Sequence, residues 1–390
     1  MQRPIYTGID IGTYHVKVVI ATPAENAELP LTIIGSGTSS SRGMRHGYII
    51  DQKEATKSVR EALGRAIGSA KVKVRNARVA LGGIGLDEIR STGEVPLTVS
   101  GGIVTEREIE RALKESEKKA SQKLTNRTVI HVIPLEYRVD GTKVFGKPNG
   151  LQGTRLSVDT LLITMLSQHQ DDLIEAVEAA GVEVDGVMAS PLAASLVTLT
   201  KAQKTAGVVL ANIGAETLSV VVFEDDTPIS LKVFPTGSSE ITKSIALSFK
   251  IPLPEAESLK RGGVVGSDIS EKKMGVIIGG QLKEMYTLVN AHLKTIGRHR
   301  LLPAGIVITG GGSGLASAAE IARAVLQLPS SISQIGHLPR SSGVDATWAV
   351  AYGLCRWAYA EDTSGQSQTL GGVVKGGWES LKQGVRSLLP

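Results

Sequence analysis

Two stretches far apart in the chain are versions of one another, and a chain that repeats a supersecondary unit is constrained to fold as a duplicated domain. Tyr6 to Ile20 reads YTGIDIGTYHVKVVI and Ala211 to Phe223 reads ANIGAETLSVVVF. They align without a gap, placing Asp10 over Asn212, Gly12 over Gly214 and Val18-Val19 over Val220-Val221. In the first, an apolar run enters a turn of Asp10, Gly12 and Thr13, after which His15 and Lys17 alternate with Val16, Val18 and Ile20. That is a strand, a tight turn and a strand. Such a hairpin suits a nucleotide phosphate: Gly12 lets the backbone approach closely, the turn amides and the Thr13 hydroxyl can donate to oxygens, and Asp10 can hold hydrated magnesium. Lys17 adds a point charge. An ordinary β-turn also explains one such hairpin; the second copy, with Asn212, Gly214 and Thr217, is what favours a shared site.

A third glycine turn, Ile306 to Leu315 (IVITGGGSGL), follows a β-branched run and precedes the helical pattern of Ala316 to Leu326. A strand, then Gly310, Gly311, Gly312 and Ser313, then a helix N-terminus form an anion or ribose cradle of a different sort. Two hairpins and this turn, in this order, resemble the actin, Hsp70 and sugar-kinase superfamily. The resemblance implies an α/β fold of duplicated actin-like (ribonuclease H-like) domains, facing each other across a cleft that clamps ATP and Mg2+.

The 390 residues are enough for two or more domains with large cores. At 42% hydrophobic and 21% charged, the composition is that of a soluble globular protein. With a net charge of +5 and no Lys/Arg block interleaved with aromatics, nucleic acid is not indicated as a partner. The single cysteine, Cys355, lies in an apolar stretch and reads as a small core residue, which fits a reducing cytoplasm. The N-terminus shows no signal-peptide pattern, and no apolar run approaches the roughly 18 to 20 residues that span a bilayer.

Taken in order, Ile33 to Tyr48 is rich in Ser and Gly, Asp51 to Ala70 is helical with Asp51 as a cap candidate, and Val79 to Gly85 is a strand. An α+β insert follows, to about Asp159. Its strands lie around Gly93 to Val99, Thr128 to Ile133 and Glu136 to Val139, and its charged helix, Thr105 to Leu124, opens on a capping-box pattern of Thr105 and Glu108. HVIPLEYRVDG at His131 to Gly141, then GKPNGLQGTRL at Gly146 to Leu156, resembles the insert of the FtsA family of bacterial cell-division proteins. His131 itself reads as a hydrogen-bonded structural residue. Val158 to Met165, Asp171 to Ala180, Val182 to Ser190 and Pro191 to Leu199 give a strand-helix-strand-helix succession assigned to the first domain.

Beyond the second hairpin come a strand, Pro228 to Phe234, and helices over Ser238 to Phe249 and Ile277 to Lys294. Glu257 and Lys260 stand one helical turn apart and read either as a surface ion pair or, by the resemblance, as a ribose carboxylate and an adenine-flanking lysine. Val344 to Ala358 is a small-residue helix that packs back on the first domain. The division is then 1–81, 160–200 and 344–360 for the first actin-like domain, 82–159 for the insert, 201–245 and 300–343 for the second, and 246–299 for a further subdomain.

Residues 361–375 form a Gly- and Ser-rich linker, and 376–390 an amphipathic helix. On it Trp378, Leu381, Val385, Leu388 and Leu389 make one apolar stripe flanked by Lys375, Lys382 and Arg386, a pattern suited to an anionic bilayer surface or to docking on a protein. The FtsA resemblance implies a peripheral protein on the cytoplasmic face of the membrane at the division site. It further implies self-association into filaments and, through 246–299, capture of the FtsZ C-terminal peptide.

One motif departs from the family's pattern. The second hairpin carries Asn212, Ala215, Glu216 and Ser219 where the family's pattern has carboxylates and glycines, which predicts weak or absent ATP hydrolysis and puts Glu216 where a phosphate would approach. No catalytic residue is assigned. Its I-G-A-x-T-L form also resembles PilM, the actin-like component of type IV pilus machinery, and a sugar-kinase-like phosphotransferase is the enzymatic alternative.

Overall fold

In the computed structural model, which describes residues 3–24, 30–97, 102–122, 124–263, 270–335 and 345–363, the first hairpin forms where the sequence places it. β1 (Tyr6–Ile11) and β2 (His15–Pro23) pair antiparallel, with Ile9 opposite Val18 and Asp10 opposite Lys17. The Ser- and Gly-rich stretch supplies the third strand, β3 (Leu31–Ser40), paired to β2. Glycine serves packing there: a Cβ on Gly37 would lie 2.1 Å from the Ala62 carbonyl oxygen of the helix above it. A ribbon of β4 (Met44–Arg45) and β5 (Tyr48–Ile49) leads into that helix, α1 (Gln52–Ala70), where Asp51 caps by accepting the Glu54 N–H at 3.1 Å. β6 (Asn76–Leu81) then runs parallel to β1.

The insert consists of β7 (Asp87–Pro96), α2 (Glu106–Ser121), β8 (Arg127–Val139), β9 (Thr142–Val144) and β10 (Arg155–Leu166), with sheet order β7-β10-β8-β9. Three expectations change here. The strand at Val158 to Met165 belongs to the insert's sheet, because β10 pairs along its length with β7 and β8. A boundary between residues 159 and 160 therefore cuts through a strand. The two strands expected at Thr128 to Ile133 and Glu136 to Val139 are one, β8, whose Pro134 falls at a register shift between Asp159 and Thr160, where a missing N–H is tolerated. Finally, the Thr105 hydroxyl bonds the Glu108 carboxylate and caps no backbone amide. His131 is buried, and its Nε2 accepts the Ala189 N–H at 3.1 Å, the structural role anticipated.

α3 (Ser167–Glu178) leads to β11 (Glu183–Ala189), α4 (Ser190–Thr198) and α5 (Lys201–Ala206), and the first sheet has the order β11-β6-β1-β2-β3. The second domain repeats it. β12 (Val208–Ile213), β13 (Leu218–Glu224) and β14 (Thr227–Phe234) form the antiparallel half, and β15 (Ile306–Thr309) and β16 (Ser330–Ile332) add parallel strands beyond β12. The two hairpins share a register, with Ala211 opposite Val220 and Asn212 opposite Ser219. Between the halves lie α6 (Ser238–Phe249), α7 (Leu253–Lys260) and α8 (Glu271–Thr295); α9 (Ala318–Leu326) separates β15 from β16.

The last helix, α10 (Ala349–Thr363), crosses back to the first domain. It lies so close to β1 that a Cβ on Gly8 would meet the Ala351 carbonyl oxygen at 2.1 Å, and buried Cys355 approaches the Tyr6 and Val19 carbonyls. The helix starts later than expected, after a short 3-10 turn at Ala346–Trp348, and ends later too. Glu361 to Thr363 are helical instead of linker, because Arg78 pairs with Glu361 at 2.8 Å and the Tyr6 hydroxyl donates to Asp362 at 2.7 Å. The rest of the expected linker, and Lys375, Trp378, Leu381, Lys382, Val385, Arg386, Leu388 and Leu389, lie outside the described residues. Among those described, no helix is long and apolar enough to cross a membrane.

Candidate functional site

Between the two domains lies a cleft of about 520 Å³, within the range of small-ligand and cofactor sites. It gathers Asp10, Gly12, Thr13 and Lys17 from the first hairpin, Asn212, Gly214 and Thr217 from the second, Glu257 and Lys260 from α7, and Gly310 and Gly311 from the turn after β15. Gly312 and Ser313 are buried behind this wall. The Ser313 hydroxyl donates to the Gly310 carbonyl at 2.7 Å, and a Cβ on Gly312 would strike Ile213 at 2.3 Å. In this turn Gly311 and Gly314 look into open space, with nothing within 4 Å of an added Cβ.

The two hairpin turns are closed alike. The Gly12 N–H donates to the His15 carbonyl at 3.1 Å, and the Gly214 N–H to the Thr217 carbonyl at 2.9 Å. Their charges differ. Burial raises the Asp10 carboxyl to about 6, against the opposing pull of Lys17 across the hairpin. Burial also lowers Lys17, while Asp10 and Asp345 work to hold its charge. The Lys17 ammonium donates to the Thr347 carbonyl at 2.5 Å and lies 5.6 Å from the centre of the Trp348 ring, so the segment entering α10 is part of the cleft wall. Nothing in the sequence pattern marks Asp345, Thr347 and Trp348 for this place.

In the second hairpin, neutral Asn212 supports the glycine turn. A Cβ on Gly310, which has φ +83°, would lie 2.2 Å from the Asn212 Oδ1. The expectation that Glu216 stands in the path of a phosphate is corrected: its carboxylate accepts the His46 N–H at 2.6 Å, on the opposite domain, and its carbonyl lies 3.2 Å from the His46 Nδ1. Tyr14, at the matching position of the first hairpin, does the reciprocal thing. Its ring lies 4.9 Å below the Arg261 guanidinium of the second domain. Both hairpin tips therefore reach across the cleft, which the alignment did not reveal because both partners are remote in sequence.

Arg261 also bonds Glu257 at 2.7 Å, and Lys260 bonds Glu257 at 2.6 Å, the Thr242 hydroxyl at 2.9 Å and the Ser238 carbonyl at 3.1 Å. With its side chain 6% exposed, Lys260 is no surface salt bridge. Burial opposes ionisation of Glu257, but hydrogen bonds from Lys260, Thr242 and Arg261 outweigh it and hold the carboxyl below its usual range. The amides of Ser238 and Ser239, at the start of α6, donate to the Gly214 and Ala215 carbonyls at 2.9 and 2.8 Å. That helix N-terminus is thus spent on holding the second hairpin. The cleft thus has free space at Gly311, and the first hairpin contributes to its lining a carboxyl, Asp10, and an ammonium, Lys17. Among the described residues there is no cluster of three or more His, Cys, Asp or Glu that could hold a metal ion.

Two family models match the chain. A family model described as Cell division protein FtsA matches residues 209–353, and one described as SHS2 domain inserted in FTSA matches residues 85–164, a span that takes in nearly all of β10. The chain is similar to Cell division protein FtsA of Borreliella burgdorferi, 28% identical over 96% of this chain and 96% of the relative. Among solved structures it is similar to a PilM-PilN type IV pilus biogenesis complex, with a TM-score of 0.68 and 19% identity over 91% of this chain and 98% of that one. It is also similar to MreB5 of Spiroplasma citri bound to ADP, with a TM-score of 0.52 and 13% identity over 93% and 98%. The structural likenesses establish the fold, two actin-like α/β domains.

Proposed function

The chain belongs to the FtsA family of cell-division proteins, and from that premise we propose that it is an ATP-dependent scaffold at the division site. ATP with Mg2+ occupies the cleft, with Asp10 orienting the hydrated metal, Thr13 and the first turn facing the phosphates, Gly311 beside the ribose or phosphate, and Glu257 and Lys260 toward ribose and adenine. The protein self-associates into filaments, is held on the inner face of the membrane by 376–390, and tethers FtsZ through 246–299. The observation that carries the reading is the pair of identically closed glycine turns opposed across one cleft. Magnesium, when bound, neutralises phosphate charge.

Hydrolysis is slow in this reading, because Asn212 stands opposite Asp10's place and cannot act as a carboxylate. Asn212→Asp should raise the rate or tighten its magnesium dependence. The family assignment, together with the insert, favours this function over a PilM-like pilus scaffold, since the likeness to PilM is one of fold. The test is deletion of 376–390. Sedimentation with anionic liposomes should be lost while ATP binding and folding persist. Unchanged sedimentation of the truncated protein would make 376–390 a docking element for another protein.

A further inference from the structure

At the end of the first sheet away from the cleft, a groove of about 830 Å³ opens beside the segment that joins α1 to β6. Lys71, Lys73 and Arg75 are exposed along it and alternate with half-buried Val72 and Val74, while Ile34 forms part of the floor. Two carboxylates at this end are already held, Asp185 at 3.1 Å and Glu361 at 2.8 Å, both by Arg78. Glu183 stands next to Arg75, bonded through its amide to the Arg75 carbonyl at 3.0 Å, and no Asp or Glu is among the described residues that line the groove.

The described chain ends at this same end of the sheet. The last turn of α10 is fixed there by the bond from Tyr6 to Asp362 and the pair of Arg78 with Glu361. Residue 376, where the amphipathic sequence begins, follows Thr363 by thirteen residues, a span that reaches at most ~45 Å even fully extended. A bilayer that holds 376–390 therefore keeps this end of the first domain close to its surface.

We propose that the Lys71–Arg75 groove is a second, electrostatic contact with an anionic phospholipid surface, working beside the C-terminal segment. It rests on the reading of 376–390 as membrane-binding. Each exposed cation gains from the negative potential of an anionic leaflet only within about a Debye length, ~8 to 10 Å at ordinary salt. A tether of thirteen residues allows that approach and raises the groove's effective concentration at the surface. In return, two weak contacts on one chain bind far more tightly than either alone, and the paired contacts fix which face of the first domain turns to the membrane.

The test is co-sedimentation of the full chain with vesicles of phosphatidylglycerol and phosphatidylcholine, and with phosphatidylcholine alone. The triple variant Lys71→Glu, Lys73→Glu, Arg75→Glu should lose about tenfold or more of its affinity for the anionic vesicles and little of its binding to neutral ones. Its thermal unfolding should match the parent's, since all three side chains are exposed. A control with the same change in net charge, Lys114→Glu, Lys118→Glu, Lys283→Glu, should bind as the parent does. Equal losses in the two triple variants, or no loss in the first, would overturn the proposal. Deletion of 376–390 separates the two readings. If deletion abolishes binding while the groove variant binds as the parent does, the groove is wrong and the tail stands; if the groove variant loses binding and deletion changes nothing, the tail reading fails and the groove contact holds. A parent that binds neither vesicle overturns both.

Discussion

The first and second hairpins have one backbone and two chemistries. Register and turn closure are the same to within 0.2 Å in the closing hydrogen bond, yet the first carries Asp10 opposite Lys17 and the second Asn212 opposite Ser219. The difference divides the labour. The charged hairpin keeps its functional groups on the cleft floor at the cost of burying them, whereas the neutral one is built into its domain, under Gly310 and on the amides that open α6. What remains symmetrical is the tip: Tyr14 and Glu216 each grip the opposite domain. The two copies thus share the frame and the clasp and differ in the side chains between them.

The largest expected effect comes from filling the opening that both hairpins face. Gly311→Asp puts a side chain and a negative charge into space that is now free, without straining its surroundings. It should abolish the stabilisation by ATP and magnesium, ~2.7 kcal/mol at a hundredfold excess over Kd, while the ligand-free melting temperature stays near the parent's. Retention of the ATP-dependent shift would show that the turn does not face the ligand.

Next comes the charge itself. The folded carboxyl of Asp10 lies at about 6, above its ordinary 3.8, so the folded state holds a proton that the unfolded state has released between those values. The associated stability is present below about pH 4 and lost as pH rises through about 6. Asp10→Asn makes the first hairpin resemble the second. It should stabilise the ligand-free protein by about 1 to 3 kcal/mol at pH 7 to 8, and the gain should vanish near pH 4 in chemical denaturation. A gain independent of pH would place the effect elsewhere.

The clasps are smaller terms. Glu216→Gln weakens a charged acceptor for the His46 amide and should cost about 1 kcal/mol. Tyr14→Ala removes the ring under Arg261 and should cost ~0.5 to 1 kcal/mol. Because the two grips close the same cleft, the double variant should bind ATP more weakly than either single variant while each domain stays folded. Additive stability losses with unchanged ATP affinity would make the contacts local packing only.

Much of this frame was legible in the sequence, since repeats, glycine turns and caps such as Asp51 are local signals. Both hairpins and the cleft residues that they carry are read from adjacent positions, and they meet in one pocket. What sequence pattern could not supply depends on partners far along the chain. Glu216 reads as an unwelcome charge near phosphate until His46 is seen to take it, and Trp348 has no pattern that sends it to Lys17. Gly312 and Ser313 look like Gly310 and Gly311 on paper, but a 3-10 turn points successive residues different ways and buries them. The β10 strand misled for a similar reason: its apolar run fits either neighbouring sheet, and only pairing with β7 and β8 decides between them.

Direct calorimetric titration of the full chain with ATP, with and without magnesium, tests the central claim that the two hairpins frame one nucleotide site. The account predicts a single site per chain whose affinity falls when magnesium is removed or when Asp10 is changed to Asn. Absence of binding at millimolar ATP with magnesium would contradict it, leaving the matched turns as structural relics of duplication.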